Sequence, residues 1–224
     1  MSGAGTDTAA GPALAALAAD TSHDLLDEAA LRRVYATGPG ETSLAKVADH
    51  VHPLYRPCIE AAPFAVLATV GEHGLDTSPR GDAPGFVRVA DAHTLLLPDR
   101  RGNQRIDSLR NVARDPRVAL LFLIPGCGEA LRVNGRARIS ASPALCAEFV
   151  VDGQAPATVL VIGVTSVFFQ CARAIKRSKL WSAPPVPAGT LPSPGSILQT
   201  LSAERIDGTA YDAALQERQA RTLY

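Results

Sequence analysis

From Leu131 to Ile139 apolar and polar residues alternate almost strictly. Leu131, Val133, Ala137 and Ile139 fall on one face, and Arg132, Asn134, Arg136 and Arg138 on the other. A side-chain period of two predicts a half-buried β-strand. The neighbouring runs read differently. Val118 to Ile124 is uniformly apolar and bounded by Pro125-Gly126, which predicts the central strand. Pro63 to Val70 is a short apolar run ahead of the turn signal Gly71-Glu72-His73-Gly74, with Leu75 to Ser78 as its return strand. Phe86 to Ala90 and Thr94 to Leu97 predict two further strands across a turn near Asp91-Ala92-His93, and Thr158 to Phe169 a final long one.

Helical spacing appears elsewhere. Leu25, Leu26, Ala29, Ala30 and Val34 predict a helix from about Thr21 to Ala36, with Ser22 as its N-cap and Gly38-Pro39-Gly40 as its stop. Leu44 to Cys58 predicts a second short helix interrupted at Pro53 and Pro57. Between Arg105 and Arg114, Ile106, Leu109, Val112 and Ala113 share a face, and Asp115-Pro116 ends the run. Ser142-Pro143 opens another helix, with serine as cap and proline at the first helical position. Cys171 to Trp181 predicts a basic helix. Prolines from Pro184 to Pro194 predict an extended connector, and Ile197 to Tyr224 one or two short amphipathic helices.

Strands dominate the middle of the chain and parallel βαβ alternation is absent. The pattern predicts a mainly β, α+β fold: a mostly antiparallel barrel of about six strands with helices packed outside. The expected organisation is a disordered or loosely helical tail over residues 1–20, a helical extension over 21–60, the barrel over 61–182, and a Pro-rich connector with a helical tail over 183–224.

Composition narrows the function classes. The chain has 224 residues, 46% of them apolar, which suits one sizeable core. Twenty-two basic residues balance 22 acidic ones. That argues against nucleic acid or an acidic membrane as a partner bound by overall charge, and leaves room for a local basic pocket. Cys58, Cys127, Cys146 and Cys171 form no CxxC pair and read as buried free thiols of a cytoplasmic protein. Residues 1–19 lack the basic start and continuous apolar run of a signal peptide, and no stretch reaches the length of a membrane span.

Candidate chemistry is sparse. No GxSxG, GxGxxG or GxxxxGK[ST] occurs, and no residue stands out as catalytic. His50 and His52 are two apart, but without a third ligand at sensible spacing they carry no metal site. What remains is Thr77 to Asn111, which holds two arginine-bearing turns. One is Ser78-Pro79-Arg80-Gly81; the other runs from Pro98 to Arg105. Between Pro98 and Arg110 stand four arginines against two aspartates. Gly102 and Asn103 allow positive φ, so backbone amides can converge there. Arg100, Arg101 and Arg105 offer forked donors suited to a phosphate monoester. A solvated loop is the competing reading of the same residues.

Several separated motifs then resemble one family. They are Ser78-Pro79-Arg80-Gly81-Asp82 with Pro84-Gly85-Phe86-Val87, Leu96-Leu97-Pro98-Asp99-Arg100 with Gly102-Asn103, and Asp107-Ser108-Leu109-Arg110-Asn111. Together with Leu131 to Ala137 and the RSxLW run Arg177-Ser178-Lys179-Leu180-Trp181, they resemble the pyridoxamine 5′-phosphate oxidase-like FMN-binding family. More narrowly they are similar to a subgroup of FMN-dependent enzymes of unassigned substrate. The likeness spans roughly residues 28–184. It implies a split β-barrel working as a homodimer, with FMN in clefts between subunits and a small-molecule substrate. Arg80, Arg100, Asn103 and Arg105 are the implied phosphate and ribityl contacts. Pro98 and Asp99 are implied beside the ring, Ser78 as a hydroxyl donor, and Arg177 and Trp181 as contacts from the same or the partner chain. The resemblance implies an FMN-dependent oxidoreductase; the alternative is a non-enzymatic protein of the same fold holding FMN, haem or a deazaflavin. One departure is Gln170-Cys171, where the subgroup carries a His-Cys pair.

Overall fold

The computed structural model describes residues 11–224. They fall into two compact units, one ending at Ala45 and the other spanning Lys46–Tyr224. In the first, α1 spans Gly11–Ala19, α2 Glu28–Val34 and α3 Glu41–Ala45. The N-cap of α2 is Asp27, whose carboxylate accepts from the Ala30 amide at 2.7 Å, and not Ser22. Only the last turns of the predicted helix form, since the Thr21–Asp27 stretch is turn and bend. The first ten residues of the predicted tail lie outside the described residues.

The second unit opens with α4 (Arg56–Ala61), begun by the Pro57 that was read as an interruption. Proline suits a first turn because its missing N–H has no helical partner there. Then follow β1 (Phe64–Gly71), β2 (Gly74–Gly81), β3 (Arg88–Asp91), β4 (Thr94–Pro98), α5 (Asp107–Arg114), β5 (Arg117–Leu123), β6 (Ala130–Ser140), α6 (Pro143–Ala147) and β7 (Val159–Gln170). The chain ends with α7 (Arg173–Ser178), α8 (Pro194–Leu201) and α9 (Gly208–Arg221). Ser142 caps α6 as predicted, accepting from the Leu145 amide at 3.4 Å.

The seven strands form one antiparallel sheet in the order β2-β1-β5-β6-β7-β4-β3. The sheet has seven strands where about six were expected; the four-residue β3 overlaps the predicted Phe86–Ala90 run and pairs β4 at one edge. β5 sits between β1 and β6, the central position that its uniform hydrophobicity predicts. Side chains from alternate positions fill the inside. Leu67 (β1), Leu95 and Leu97 (β4), Leu120 and Phe122 (β5), Val133 (β6) and Leu160 and Ile162 (β7) are all essentially buried and form one cluster. Each such leucine or phenylalanine contributes roughly 1.5–3 kcal/mol by leaving water.

Two features depart from simple alternation. From Leu160 onward the buried positions on β7 run Leu160, Ile162, Val164 and then Val167. Asn134 pairs Ser166 while Gly135 pairs Val164, so Thr165 is an unpaired bulge that shifts the phase. Opposite it, a Cβ on Gly135 would stand 2.5 Å from the Gly163 carbonyl oxygen, so only glycine fits. Among the described residues no helix is long and apolar enough to cross a membrane.

Candidate functional site

The two ends of the sheet, near β2 and near β4, are joined by side chains instead of a strand ladder. Arg80 near the end of β2 donates from Nη1 to Asp99 Oδ1 at 2.7 Å. Asp82, just past β2, accepts from Arg100 Nε at 2.6 Å. These are reciprocal pairs: each segment supplies one arginine and one aspartate. Their side chains are only 16% and 20% exposed for Arg80 and Asp99, and 16% and 3% for Arg100 and Asp82. The barrel is thus split, and the split is stitched by two half-buried to buried ion pairs.

Asp99 is the hub. Its amide donates to the Thr158 carbonyl at 2.9 Å, which fixes the exit of β4 against the entry of β7. Pro98 is buried and paired with Val159. Among the described residues, two buried polar atoms beside this hub have no hydrogen-bond partner, Arg80 Nε and Thr158 Oγ1. An unpaired buried donor costs about 1–3 kcal/mol, so both are satisfied only if something polar comes to them. Ser78 lies two residues before Arg80 on β2, on the same half-buried face as Asp76.

The loop from Arg100 to Ile106 leads into α5. Positive φ occurs at Gln104 (60°) and Ile106 (52°); Gly102 and Asn103, which allow it, do not adopt it. A β-branched residue in the left-handed region is strained, and such strain gathers at ligand sites. Helix α5 starts at Asp107, later than the predicted Arg105, because Ile106 occupies that left-handed cap. Asn103 Oδ1 accepts from the Arg105 amide at 3.1 Å, and Arg105 Nε donates to Asp107 at 2.7 Å. That hydrogen bond holds the Arg105 guanidinium more basic than usual. Arg105 is well exposed and borders a cleft of about 440 Å³ together with Asp76, Asp107, Arg110 and Asn111. The helix is docked by Asn111, whose buried Nδ2 donates to Thr69 Oγ1 at 3.0 Å and to Asp76 at 3.3 Å.

The structure therefore gathers Ser78, Arg80, Pro98 and Asp99 around the split. It places Asn103 and Arg105 on the α5 side of the same loop. Arg100 is turned to other work: besides Asp82 it donates to the Phe149 carbonyl at 2.6 Å and lies over the Tyr224 ring. Arg177 and Trp181 sit apart. Trp181 Nε1 donates to the Cys127 carbonyl at 2.6 Å, and α7 packs so tightly on the β5–β6 turn that a Cβ on Gly128 would meet Ala172 at 3.1 Å. Among the described residues no hydrogen bond or ion pair joins α7 to Arg80, Asp99 or Arg105.

Thr158, Asp76 and Asn111 are contributors the sequence reading missed. A signal existed for Asn111, a polar residue beside Ser108 and Val112 on the buried face of a short helix. Two other expectations change. Only Cys146 is buried, Cys58 being half-buried and Cys127 and Cys171 exposed. His93 stands 5.9 Å from His50, ring to ring, and His52 6.1 Å. Yet among the described residues no three such side chains are grouped to hold a metal.

The family model described as pyridoxamine 5′-phosphate oxidase matches residues 51–171, from the segment before α4 through β7. No curated protein sequence matches the chain. Solved structures with a related strand arrangement include a tagged HupZ of Group A Streptococcus, 19% identical, covering 52% of this chain and 90% of that one at a TM-score of 0.43. A provisional pyridoxamine 5′-phosphate oxidase of Lactobacillus delbrueckii is 19% identical over 54% of this chain and 95% of that one, with a TM-score of 0.44. A Clostridium acetobutylicum protein related to general stress protein 26 is 14% identical over 51% and 84%, with a TM-score of 0.41.

Proposed function

The chain belongs to the pyridoxamine 5′-phosphate oxidase family, and from that premise we propose that it is an FMN-dependent oxidoreductase acting on a small molecule as a homodimer. The observation that carries this reading is the pair of unpartnered buried atoms flanking Asp99, Arg80 Nε and Thr158 Oγ1. A guanidinium with one N–H already spent on Asp99 and another free is suited to an anionic or carbonyl oxygen. A threonine hydroxyl both donates and accepts, so it suits either a phosphate or a ring edge. The residues present thus fit a flavin mononucleotide.

When bound, FMN supplies the hydride chemistry; the protein supplies binding and orientation. Arg80 and Ser78 on β2 hold one side of the ligand. Asp99 keeps Arg80 in place and does not itself face an anion without cost, which favours its carbonyl and amide neighbours as ring contacts. Asn103 and Arg105 draw the phosphate toward the α5 end of the loop, where the first free amides of the helix add positive potential. Arg177 and Trp181 serve the ligand of the partner subunit, which accounts for their distance from Arg80 within one chain.

The dimer has a surface to form on. Val66 and Ala68 of β1 pair with Leu121 and Ala119 of β5 on the outer side of the sheet, and Phe64, 37% exposed, lies in line with Leu123. Helix α5, the helix packed on β1, uses the inner side through Asn111 and Thr69. An apolar strip on the outer face of two central strands supports a subunit interface.

The test is the identity of the ligand. Purified protein should be yellow, release FMN by mass on denaturation, and rebind it with fluorescence quenching. Bound flavin should then be reduced by NADH or NADPH and reoxidised in air. Colourless protein that fails to take up added FMN overturns the reading; binding without any reduction or reoxidation moves it to the non-enzymatic alternative.

A further inference from the structure

Helices α8 and α9 have no place in the sheet, yet they are built as a unit. A Cβ on Gly195 would stand 2.1 Å from the Gly208 carbonyl oxygen, and one on Gly208 2.5 Å from that of Gly195, so the two backbones touch. The Gly195 amide donates to Asp212 at 2.8 Å and the Gly208 amide to Gln199 at 3.1 Å. Asp207 caps α9 by accepting from the Ala210 amide at 2.9 Å. The two helices are packed backbone to backbone and tied by side chain to amide.

Its far end is fastened to the split. The Tyr224 hydroxyl donates to Asp82 Oδ1 at 2.7 Å, while Asp82 Oδ2 holds Arg100 at 2.6 Å. The Arg100 guanidinium also lies 5.5 Å from the centroid of the Tyr224 ring. One side chain therefore engages both members of a stitching pair, and Arg100 opens the loop that carries Asn103 and Arg105. The sequence separation of 142 between Tyr224 and Asp82 makes this a long-range closure of the chain.

We propose that Tyr224 is a positioning residue: it latches the α8–α9 pair onto Asp82–Arg100 and so holds the 99–106 loop in the form that receives the cofactor. Tyr224 acts through Arg100 and Asp82 and is not itself a ligand. With the latch closed, Arg100 keeps its three ties, to Asp82, to the Phe149 carbonyl and to the Tyr224 ring. With it open, Asp82 loses one of its two side-chain partners and Arg100 its aromatic cover, so the first residue of the loop gains freedom. The consequence for the cofactor rests on the FMN reading above; the latch itself does not.

The test compares full-length wild type with Tyr224→Phe and Tyr224→Ala. Phenylalanine keeps the ring on Arg100 and removes only the bond to Asp82; alanine removes both. Hydrogen exchange of the 99–106 amides and tryptic cleavage after Arg218 and Arg221 report the latch without any ligand. Loss of one hydrogen bond to a carboxylate should raise both by about tenfold in Tyr224→Phe and further in Tyr224→Ala, with the global melting temperature unchanged. FMN release after dilution should quicken in the same order. Exchange and cleavage at wild-type levels in both variants would overturn the latch. Faster exchange with unchanged FMN release would overturn the positioning role. A wild type that binds no FMN sinks the cofactor reading, and the exchange and cleavage results still decide the latch.

Discussion

Arg80 and Asp99, nineteen residues apart, share a 2.7 Å hydrogen bond that spans the open side of the barrel. The bond consumes one guanidinium N–H and leaves Nε buried without a partner. With Asp82 and Arg100 it forms a crossed set, so each bank of the split carries one positive and one negative group. A closed ladder would satisfy backbone groups and leave no gap. A stitched gap holds the same two ends together through side chains alone.

Arg80 should therefore matter for ligand affinity as well as for holding the two ends of the sheet together. Arg80→Ala removes a charge-assisted donor and is expected to weaken FMN binding by about ten- to a hundredfold, from the roughly 1.5–3 kcal/mol such a bond contributes. Arg80→Lys should recover little, because an ammonium cannot reach Asp99 and a second acceptor in the fixed fork geometry. Fluorescence titration with FMN measures both. Affinity unchanged in Arg80→Ala would remove this residue from the site.

The Tyr224–Asp82 bond should hold over a window of pH. Burial pushes the Asp82 carboxyl up, but hydrogen bonds from Tyr224, the Ala83 amide and Arg100 outweigh it, and the net shift is downward. A lowered acid stabilises the closed form fully above the ordinary value of about 3.9 and loses that contribution as pH falls through the folded value. For Tyr224 the bond to Asp82 and then burial raise the hydroxyl. Its contribution is present below the ordinary value of about 10 and is lost as pH rises through the raised one. Tryptic nicking after Arg218, corrected for trypsin's own profile, should stay low from about pH 5 to 9 and rise beyond. In Tyr224→Phe the alkaline rise should vanish.

Much of the barrel was legible because its strands obey simple rules. The apolar run Val118–Ile124 became β5 (Arg117–Leu123), and the alternating Leu131–Ile139 lies within β6. Ser142-Pro143 is a local signal and was read correctly at the head of α6. What was hidden depends on contacts distant in sequence. Gln104 and Ile106 take positive φ in the loop that leads into α5, which Asn111 joins to Thr69, 42 residues away. Glycine 102, locally the better candidate, is not used that way. Arg100 looked like a free phosphate donor; its partners Phe149 and Tyr224 lie far along the chain. Thr158 carries no motif and becomes visible only as an unpaired hydroxyl beside Asp99.

Gly135 should be among the least tolerant positions of the sheet. It is buried at the register shift, and an added Cβ would meet the Gly163 carbonyl oxygen at 2.5 Å and Ile162 Cγ2 at 2.9 Å. Backbone cannot withdraw as a flexible side chain can. Gly135→Ala should cost about 1–3 kcal/mol by overpacking, lowering the melting temperature by several degrees. Gly163→Ala is the matched control: its Cβ meets its nearest neighbour, the Arg136 carbonyl oxygen, at 3.6 Å, an ordinary contact. Equal melting temperatures for the two variants would refute the account of the bulge.

The outer strip of β1 and β5 yields the prediction on assembly. Leu121 pairs with Val66 on one side and Arg132 on the other, and its side chain is half-buried within the chain. A glutamate there points its carboxylate off the outer face, not into the core, so folding should survive. A desolvated, unpaired charge in a subunit interface is a different matter and costs several kcal/mol. Leu121→Glu should therefore convert a dimer to a monomer, read by light scattering, while circular dichroism stays unchanged. If Arg177 and Trp181 serve the partner's cofactor, the same variant should also lose FMN although every residue around Arg80 is intact. Wild type that is monomeric at micromolar concentration, or a Leu121→Glu dimer, would detach this face from the interface. A monomeric variant that keeps full FMN affinity would instead return the whole site to a single chain.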